Sequence, residues 1–438
     1  MSLSRVRLAI AQLNLTVGDL KGNCAKILDY AHQAAAQGVR ILLTPELSIT
    51  GYPPEDLLLR PSFQRQTDAA FNQLLHNLAE LDLYVVVGHP VSREGELFNA
   101  ASVLHKGHVV GMYHKHDLPN REVFDEQRYF TPDNRPLVFE VDGIRFGLNI
   151  CEDTWNRYAP EAAAAAGAEV LLVPNASPYH MGKQTIRQSM VAKRVQETGM
   201  AIVYANMLGG QDELVFDGAS FAINADRSLA FQMSQFEETL SVSTWRRTED
   251  GWRCGEGPVS KIPEREEADY RACVLGFKDY VNKNGFKSVV LGLSGGIDSA
   301  VCASIAADAI GAERVFGVSM PSRYSSEHSR SDAEDSADRI GLHFRTEPIE
   351  SMVNALESQL GLDGIAAENL QARMRGVILM GLSNAEGHLT LTTGNKTELA
   401  VGYSTIYGDS VGGFAPIKDL YKTQVWQLAK WRNDLAIL

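Results

Sequence analysis

The stretch LGLSGGIDSA, residues 291–300, decides how the second half of this chain must fold. The apolar run KSVVLGLS (287–294) leads into it and the helical pattern SAVCASIAADAIG (299–311) follows. Ser294, Gly295, Gly296, Ile297, Asp298 and Ser299 therefore read as a strand-to-helix turn. Two glycines let backbone N–H groups close on an anion, and the helix start adds its positive dipole end. No lysine stands where a loop that transfers a terminal phosphate would carry one. An aspartate stands there instead, which suits Mg²⁺ bridging of a pyrophosphate leaving group while the α-phosphate is attacked. The implied chemistry is adenylation. The plainer alternative is a tight turn capped by Asp298 or Ser299.

Working outward, strands RVFGVSMPS, LHFRTEPI and LTLTTGN alternate with helical patterns such as SEHSRSDAEDSADRIG and AENLQARMRGVILMGLSNAEG. Such alternation predicts right-handed βαβ units and a doubly wound, mostly parallel sheet, with ligands at the strands' carboxyl ends. The first half also alternates strands (RVRLAIAQL, GVRILLTPE, LYVVVGHPV, AASVLHKGHVVGMYHK, IRFGLNIC, AEVLLVPNAS, AIVYANML) with helical patterns, an α/β layer architecture. Residues 246–268, RRTEDGWRCGEGPVSKIPEREEA, are charged, contain glycine and proline, and lack a clean period. A linker is expected over 246–267, between domains at 1–245 and 268–438.

A chain of 438 residues with 45% hydrophobic residues can bury more than one core. Lys and Arg total 41 against 54 Asp and Glu, for a net charge of -13, which argues against a nucleic-acid surface. No apolar run of about 18 residues occurs, so no membrane span is expected and the reading is cytoplasmic. The five cysteines are scattered without CxxC spacing, which favours a free thiol over a disulfide framework or zinc site.

SGGIDS resembles the signature of the ATP pyrophosphatase superfamily, whose members adenylate an oxygen and then displace AMP. AENLQARMR, LTTGNKTELAVGYSTIYGD and FAPIKDLYKTQV, in that order, narrow the resemblance to NAD synthetases over about residues 265–432. The resemblance implies ATP as a substrate, with Ser294–Ser299, Thr393 and Lys422 in contact with it and Asp298 and Glu398 as Mg²⁺ ligands. It further implies that Asn369, Arg373 and Glu398 lie near deamido-NAD. Singly, Glu398 is also an ordinary first-turn helix residue and Lys422 an ordinary solvated lysine.

In the first half Glu46, Lys115 and Cys151 each follow an apolar strand, so one sheet edge is expected to bring them together. Taken alone, such a cysteine is usually a packing residue. Together they supply a proton acceptor, an oxyanion partner and a thiol nucleophile for attack on an amide. TPELSITGYPPEDLL, HKHDLPN and NICEDTW resemble the nitrilase superfamily over about residues 5–245, implying an α-β-β-α sandwich and this Glu-Lys-Cys triad. In its glutaminase members, a motif like NASPYHMGK binds glutamine, which points to Ser177 and Lys183. One position departs from the pattern: a tyrosine that often follows LPN and contacts glutamine is here Arg121.

Jointly the resemblances imply that one half frees ammonia from glutamine and the other amidates deamido-NAD with it, ammonia passing through a tunnel between the domains. A homo-oligomer is expected. The alternative is another amidating ATP pyrophosphatase with a different acceptor; a non-catalytic nucleotide sensor would not need the thiol site. The chain ends at WRNDLAIL, whereas NAD synthetases of this kind usually continue, so its C-terminal end is expected to be incomplete.

Overall fold

Strand Arg5–Gln12 sets the pattern of the first unit: Leu8 and Ile10 point to one side of their sheet, and Ala9 and Ala11 to the other, and all four are buried. A strand covered on both faces has no need of alternating polarity. The computed structural model describes residues 5–249 and 251–435. Its chain divides between Pro263 and Glu264 into two units.

In the first unit a seven-stranded sheet runs, edge to edge, Gly251–Glu256, Thr239–Thr248, Arg5–Gln12, Ile41–Leu43, Tyr84–Arg93, Glu96–His105 and His108–His114. A six-stranded sheet runs Leu229–Gln232, Phe221–Ile223, Ala201–Asn206, Val170–Asn175, Ile144–Leu148 and Leu137–Val141. Leu8, Ile10, Leu43 and Val86 of the first share a core with Phe146, Leu148, Leu172 and Val203 of the second. On the outer side of the seven-stranded sheet, Ala9, Leu42 and Val85 pack with Ile27 and Ala31 of helix Leu20–Ala36 and Phe71 and Leu74 of helix Pro61–Asn77. Leu171, Val173 and Ile202 pack outward with helices Tyr158–Ala165 and Lys183–Thr198. The four layers are the expected α-β-β-α sandwich.

Two readings of the sequence are corrected here. The first half of the stretch expected to be a linker is mostly strand: Thr239–Thr248 and Gly251–Glu256 form an antiparallel hairpin on the edge of the seven-stranded sheet. Trp245 and Trp252 are its buried aromatic residues, while Arg246, Arg247 and Arg253 are exposed, and those charges hide the strand period. The following helix begins at Arg265; Asp250 lies outside the described residues. The run AASVLHKGHVVGMYHK, read as one strand, is two, reversed at Lys106 and Gly107, whose φ values of 47 and 75 are those of a mirror-image hairpin turn.

The second unit has a four-stranded parallel sheet in the order His343–Thr346, Val315–Ser319, Val289–Gly292, Leu389–Leu391. Val289 and Leu291 pack with residues of helices Arg265–Lys283, Ile297–Ile310 and Lys422–Leu435. Val290 and Val318 pack on the other face with helices Glu350–Leu360 and Gly364–Glu386. This is the expected doubly wound arrangement. The chain leaves the central strand Val289–Gly292 toward one edge and returns on its other side with Leu389–Leu391, so the strand order switches there. Among the described residues no helix is long and apolar enough to cross a membrane.

Candidate active sites

At the first site, Glu46 lies just beyond strand Ile41–Leu43 and Lys115 just beyond His108–His114, whereas Cys151 follows Ile144–Leu148 of the other sheet. The three therefore converge from two facing sheets, which corrects the expectation of one sheet edge. Their exposures of 1%, 1% and 4% exclude bulk water from the group. Lys115 Nζ donates to Glu46 Oε1 at 2.7 Å and to both oxygens of Glu126 at 2.8 and 2.9 Å. Glu46 also accepts from Asn99 Nδ2 at 2.7 Å and from the Ala176 N–H at 3.1 Å.

Glu126 escaped the sequence reading. It opens a three-residue helical turn, Glu126–Arg128, in a polar segment whose sequence gives no period to mark it. Tyr52 donates its hydroxyl proton to Glu126 Oε1 at 2.8 Å. Burial chiefly pushes the Glu126 carboxyl up to about 7, against the pull of Lys115. Burial alone would discharge Lys115, but the Glu126 and Glu46 carboxylates outweigh it and hold its pKa well above the usual lysine value. The Cys151 thiol is pushed well up by burial and by Glu46, with Lys115 opposing. The resting sulfur is thus protonated and needs a base at the moment of attack. Cys151 has a φ of 45, a left-handed backbone that is rare for a residue with a side chain.

Ser177 is buried just beyond strand Val170–Asn175, and its Oγ accepts from Arg187 Nε at 3.1 Å. Lys183 opens helix Lys183–Thr198 with its Nζ 4.6 Å from the centre of the Trp155 ring. Burial, then Arg187, lowers its pKa, while Cys151 and Glu152 act on it in the opposite sense. Arg121 is exposed and donates to Glu152 Oε1 at 2.7 Å, the residue beside the thiol.

The second site lies where the strand order switches. Of the six loop residues, Ser294, Gly295 and Gly296 form the turn, but Ile297, Asp298 and Ser299 already belong to helix Ile297–Ile310. Gly296 takes the cap position expected of Asp298 or Ser299. Gly295 has a φ of 79, and an added Cβ would lie 2.3 Å from the Ser329 carbonyl oxygen, so only glycine fits. A cavity of about 390 Å³ opens beside the loop, lined by Ser294, Arg330, Arg375, Thr393 and Asp409 among others.

Asp298 accepts from Asn395 Nδ2 at 3.3 Å and pairs with Lys422. Asn395 and Glu398 bond reciprocally at the start of helix Lys396–Val401, each N–H 3.1 Å from the other's side-chain oxygen. Asn395 thus gathers Asp298 and Glu398, with Lys422 alongside. Their carboxylate oxygens are the hard donors that fit Mg²⁺. No cluster of three His, Cys, Asp or Glu suited to a metal occurs among the described residues, so phosphate oxygens and water would complete the shell.

Asn369 and Arg373 are not among the residues lining the cavity. Asn369 accepts from Thr405 Oγ1 at 2.9 Å and Arg373 Nε donates to the Ile406 carbonyl at 3.2 Å, so both hold one loop. On this helix the guanidinium that does line the cavity is that of Arg375, two residues on, whose one hydrogen bond among the described residues runs from Nε to the Met320 carbonyl at 3.1 Å. Burial lowers its pKa, and no carboxylate offsets that. The sequence could not choose between these two arginines without knowing which helix face meets the sheet.

The two units thus pair an amide-cleaving type of site with a nucleotide-type strand switch. The carbon–nitrogen hydrolase family model matches residues 7–249 and the NAD synthase model residues 269–436. The glutamine-dependent NAD(+) synthetase of Rhodobacter capsulatus is 46% identical, over 98% of this chain and 79% of its own length. That of Aquifex aeolicus is 42% identical, over 98% and 82%. The structure of the glutamine-dependent NAD+ synthetase from Acinetobacter baumannii in complex with ADP superposes with a TM-score of 0.94 at 42% identity, covering 98% of this chain and 82% of that one. An amidase from Nesterenkonia sp. covers 55% of this chain and 90% of its own, with a TM-score of 0.51 at 29% identity. The chain belongs to the glutamine-dependent NAD(+) synthetase family.

Proposed function

We propose that this chain makes NAD from deamido-NAD, with ATP as the activating substrate and glutamine as the nitrogen source. The observation that carries the reading is the buried Glu46–Lys115–Glu126 cluster around Cys151 in the same chain as a glycine loop at a strand switch. Glu46 takes the Cys151 proton as sulfur attacks the glutamine amide carbon, and the Lys115 ammonium stabilises the oxyanion that forms. Collapse expels ammonia, which receives the proton held by Glu46, and water then hydrolyses the thioester to glutamate. Ser177 and Lys183 are suited to the amino-acid end of glutamine, Lys183 as a half-buried cation for its carboxylate.

At the second site the deamido-NAD carboxylate attacks the α-phosphorus of ATP and pyrophosphate leaves. Ammonia then attacks the acyl adenylate and AMP leaves. Ser294–Ser299 present N–H groups and a helix start to the pyrophosphate, and Thr393 faces the same cavity. Lys422, released from Asp298, meets the charge developing at the α-phosphate. Asp298 and Glu398 would hold Mg²⁺, which supplies positive charge to the phosphates. Asn369, Arg373 and Glu398 are assigned to deamido-NAD. Ammonia in neutral water is mostly protonated and no longer nucleophilic, so it is handed to the second site without equilibrating with solvent. We read the enzyme as cytoplasmic and homo-oligomeric, the latter supported by exposed Tyr403, Ile406 and Tyr407.

Cys151→Ala tests the division of labour. NAD formation from glutamine should vanish while formation from ammonium persists. Equal loss of both would refute it.

A further inference from the structure

We infer that Asp153 is a positioning residue that fixes the Cys151 turn against the Lys115 segment, two residues from the thiol and across the gap between the sheets. Its carboxylate is fully buried and accepts four hydrogen bonds. Oδ2 accepts from the Ile150 N–H and the Tyr113 hydroxyl, both at 2.8 Å. Oδ1 accepts from the His116 N–H at 3.0 Å and the Asp117 N–H at 2.7 Å. One side chain therefore holds the residue just before Cys151 and the two residues just after Lys115.

A purely local role would account for only one of these bonds. The Ile150 bond closes the turn, as an aspartate commonly does. The two bonds on Oδ1 reach 37 and 36 residues back in the sequence, to the exit of a strand in the other sheet. Asn149 Nδ2 adds a parallel tie, donating to the Tyr113 hydroxyl at 3.2 Å. Lys115 itself is held from the opposite side, its N–H donating to the Asn99 carbonyl at 2.8 Å. Burial pushes the Asp153 carboxyl up to about 6, with the Asp117 and Ile150 N–H bonds pulling it back, so it is mainly ionised at neutral pH. A buried carboxylate bonded on both oxygens is stiff, because each lost bond strands a donor.

The inference rests on the glutaminase reading, and Asp153→Asn tests it. The amide keeps the size but turns one acceptor into a donor. With its oxygen left to His116 and Asp117, its NH₂ faces the Ile150 N–H and pushes the Cys151 turn away. A displacement of about 1 Å can cost roughly a hundredfold in rate. In the full chain, kcat for glutamine-driven NAD formation should fall about that far, with KM for glutamine and ammonium-driven synthesis each held within about twofold. Alkylation of Cys151 by iodoacetamide, followed on its own peptide, should slow about tenfold, since the base and ammonium no longer meet the sulfur. A wild type that hydrolyses no glutamine, with this alkylation difference intact, would remove the substrate and leave the positioning role standing. Unchanged kcat and alkylation in folded Asp153→Asn, or equal loss of both nitrogen-source activities, would overturn it. Should that variant fail to fold, Tyr113→Phe decides, since it removes one donor and leaves three backbone bonds. A severalfold fall in glutamine-driven kcat alone supports the role, and an unchanged kcat overturns it.

Discussion

Replacing Glu126 by Gln isolates what the second carboxylate contributes to the thiol site. The amide preserves shape and one acceptor oxygen but removes a charge that lies 2.8 and 2.9 Å from Lys115 Nζ. A charge-assisted hydrogen bond is worth about twice a neutral one, so support for the ammonium falls by roughly 1–2 kcal/mol. Lys115 then leans wholly on Glu46, 2.7 Å away, and Glu46 becomes a weaker base for the Cys151 proton. Both effects act on the acylation barrier. At about 1.4 kcal/mol per decade the lost support alone predicts a fall of roughly 5- to 30-fold in glutamine-driven kcat. Ammonium-driven synthesis should stay at the wild-type rate, because the second site is untouched. The assay is initial-rate NAD formation with each nitrogen source in turn. A glutamine-driven kcat within twofold of wild type would show that Lys115 needs only Glu46, and the charge argument would fail.

Three other perturbations reach different parts of the molecule. Gly295→Ala should stop NAD formation from either nitrogen source while leaving glutamine hydrolysis measurable, because a Cβ cannot fit 2.3 Å from the Ser329 oxygen; synthesis surviving at wild-type rate would refute the close approach. Arg375→Met should raise KM for ATP about tenfold or more, on the scale of a lost charge-assisted contact, since this cavity-lining guanidinium is bonded among the described residues to a carbonyl and to no carboxylate; an unchanged KM would remove it from the nucleotide site. His89 is buried, and burial chiefly, with a small contribution from His114, lowers its pKa from 6.5 to about 4 despite the Pro90 carbonyl. Between those values the unfolded chain binds a proton the folded chain refuses, so stability is full above pH 6.5 and falls by up to about 3 kcal/mol toward pH 4. Urea midpoints of wild type and His89→Gln across that window should differ in slope, and parallel curves would contradict the assignment.

Features carried by local pattern were legible in the sequence. The apolar run into Ser294 and the glycine pair gave the strand-to-helix turn and, with the βαβ alternation, the parallel sheet. Glu46, Lys115 and Cys151 could be picked out because each follows a strand, although which sheet supplies each was not written there. What remained hidden depends on contacts between distant segments. Glu126 lies in an irregular polar segment and matters only because Lys115 points at it. The hairpin at residues 239–256 was masked because its outward arginines outweigh two inward tryptophans in any composition window. Asp153 stands in the quoted NICEDTW, yet two of its four donors are backbone groups on another strand exit, which no sequence motif displays. Arg375 differs from Arg373 only by helix face, and that face is set by the sheet it packs on.

The most direct test of the central claim is mass-spectrometric analysis of products after incubating the chain with deamido-NAD, ATP, Mg²⁺ and glutamine labelled with ¹⁵N at the amide. The account predicts NAD carrying the label, together with AMP, pyrophosphate and glutamate. Glutamate formed without labelled NAD or AMP would contradict it, because the thiol site would then be feeding no synthetase.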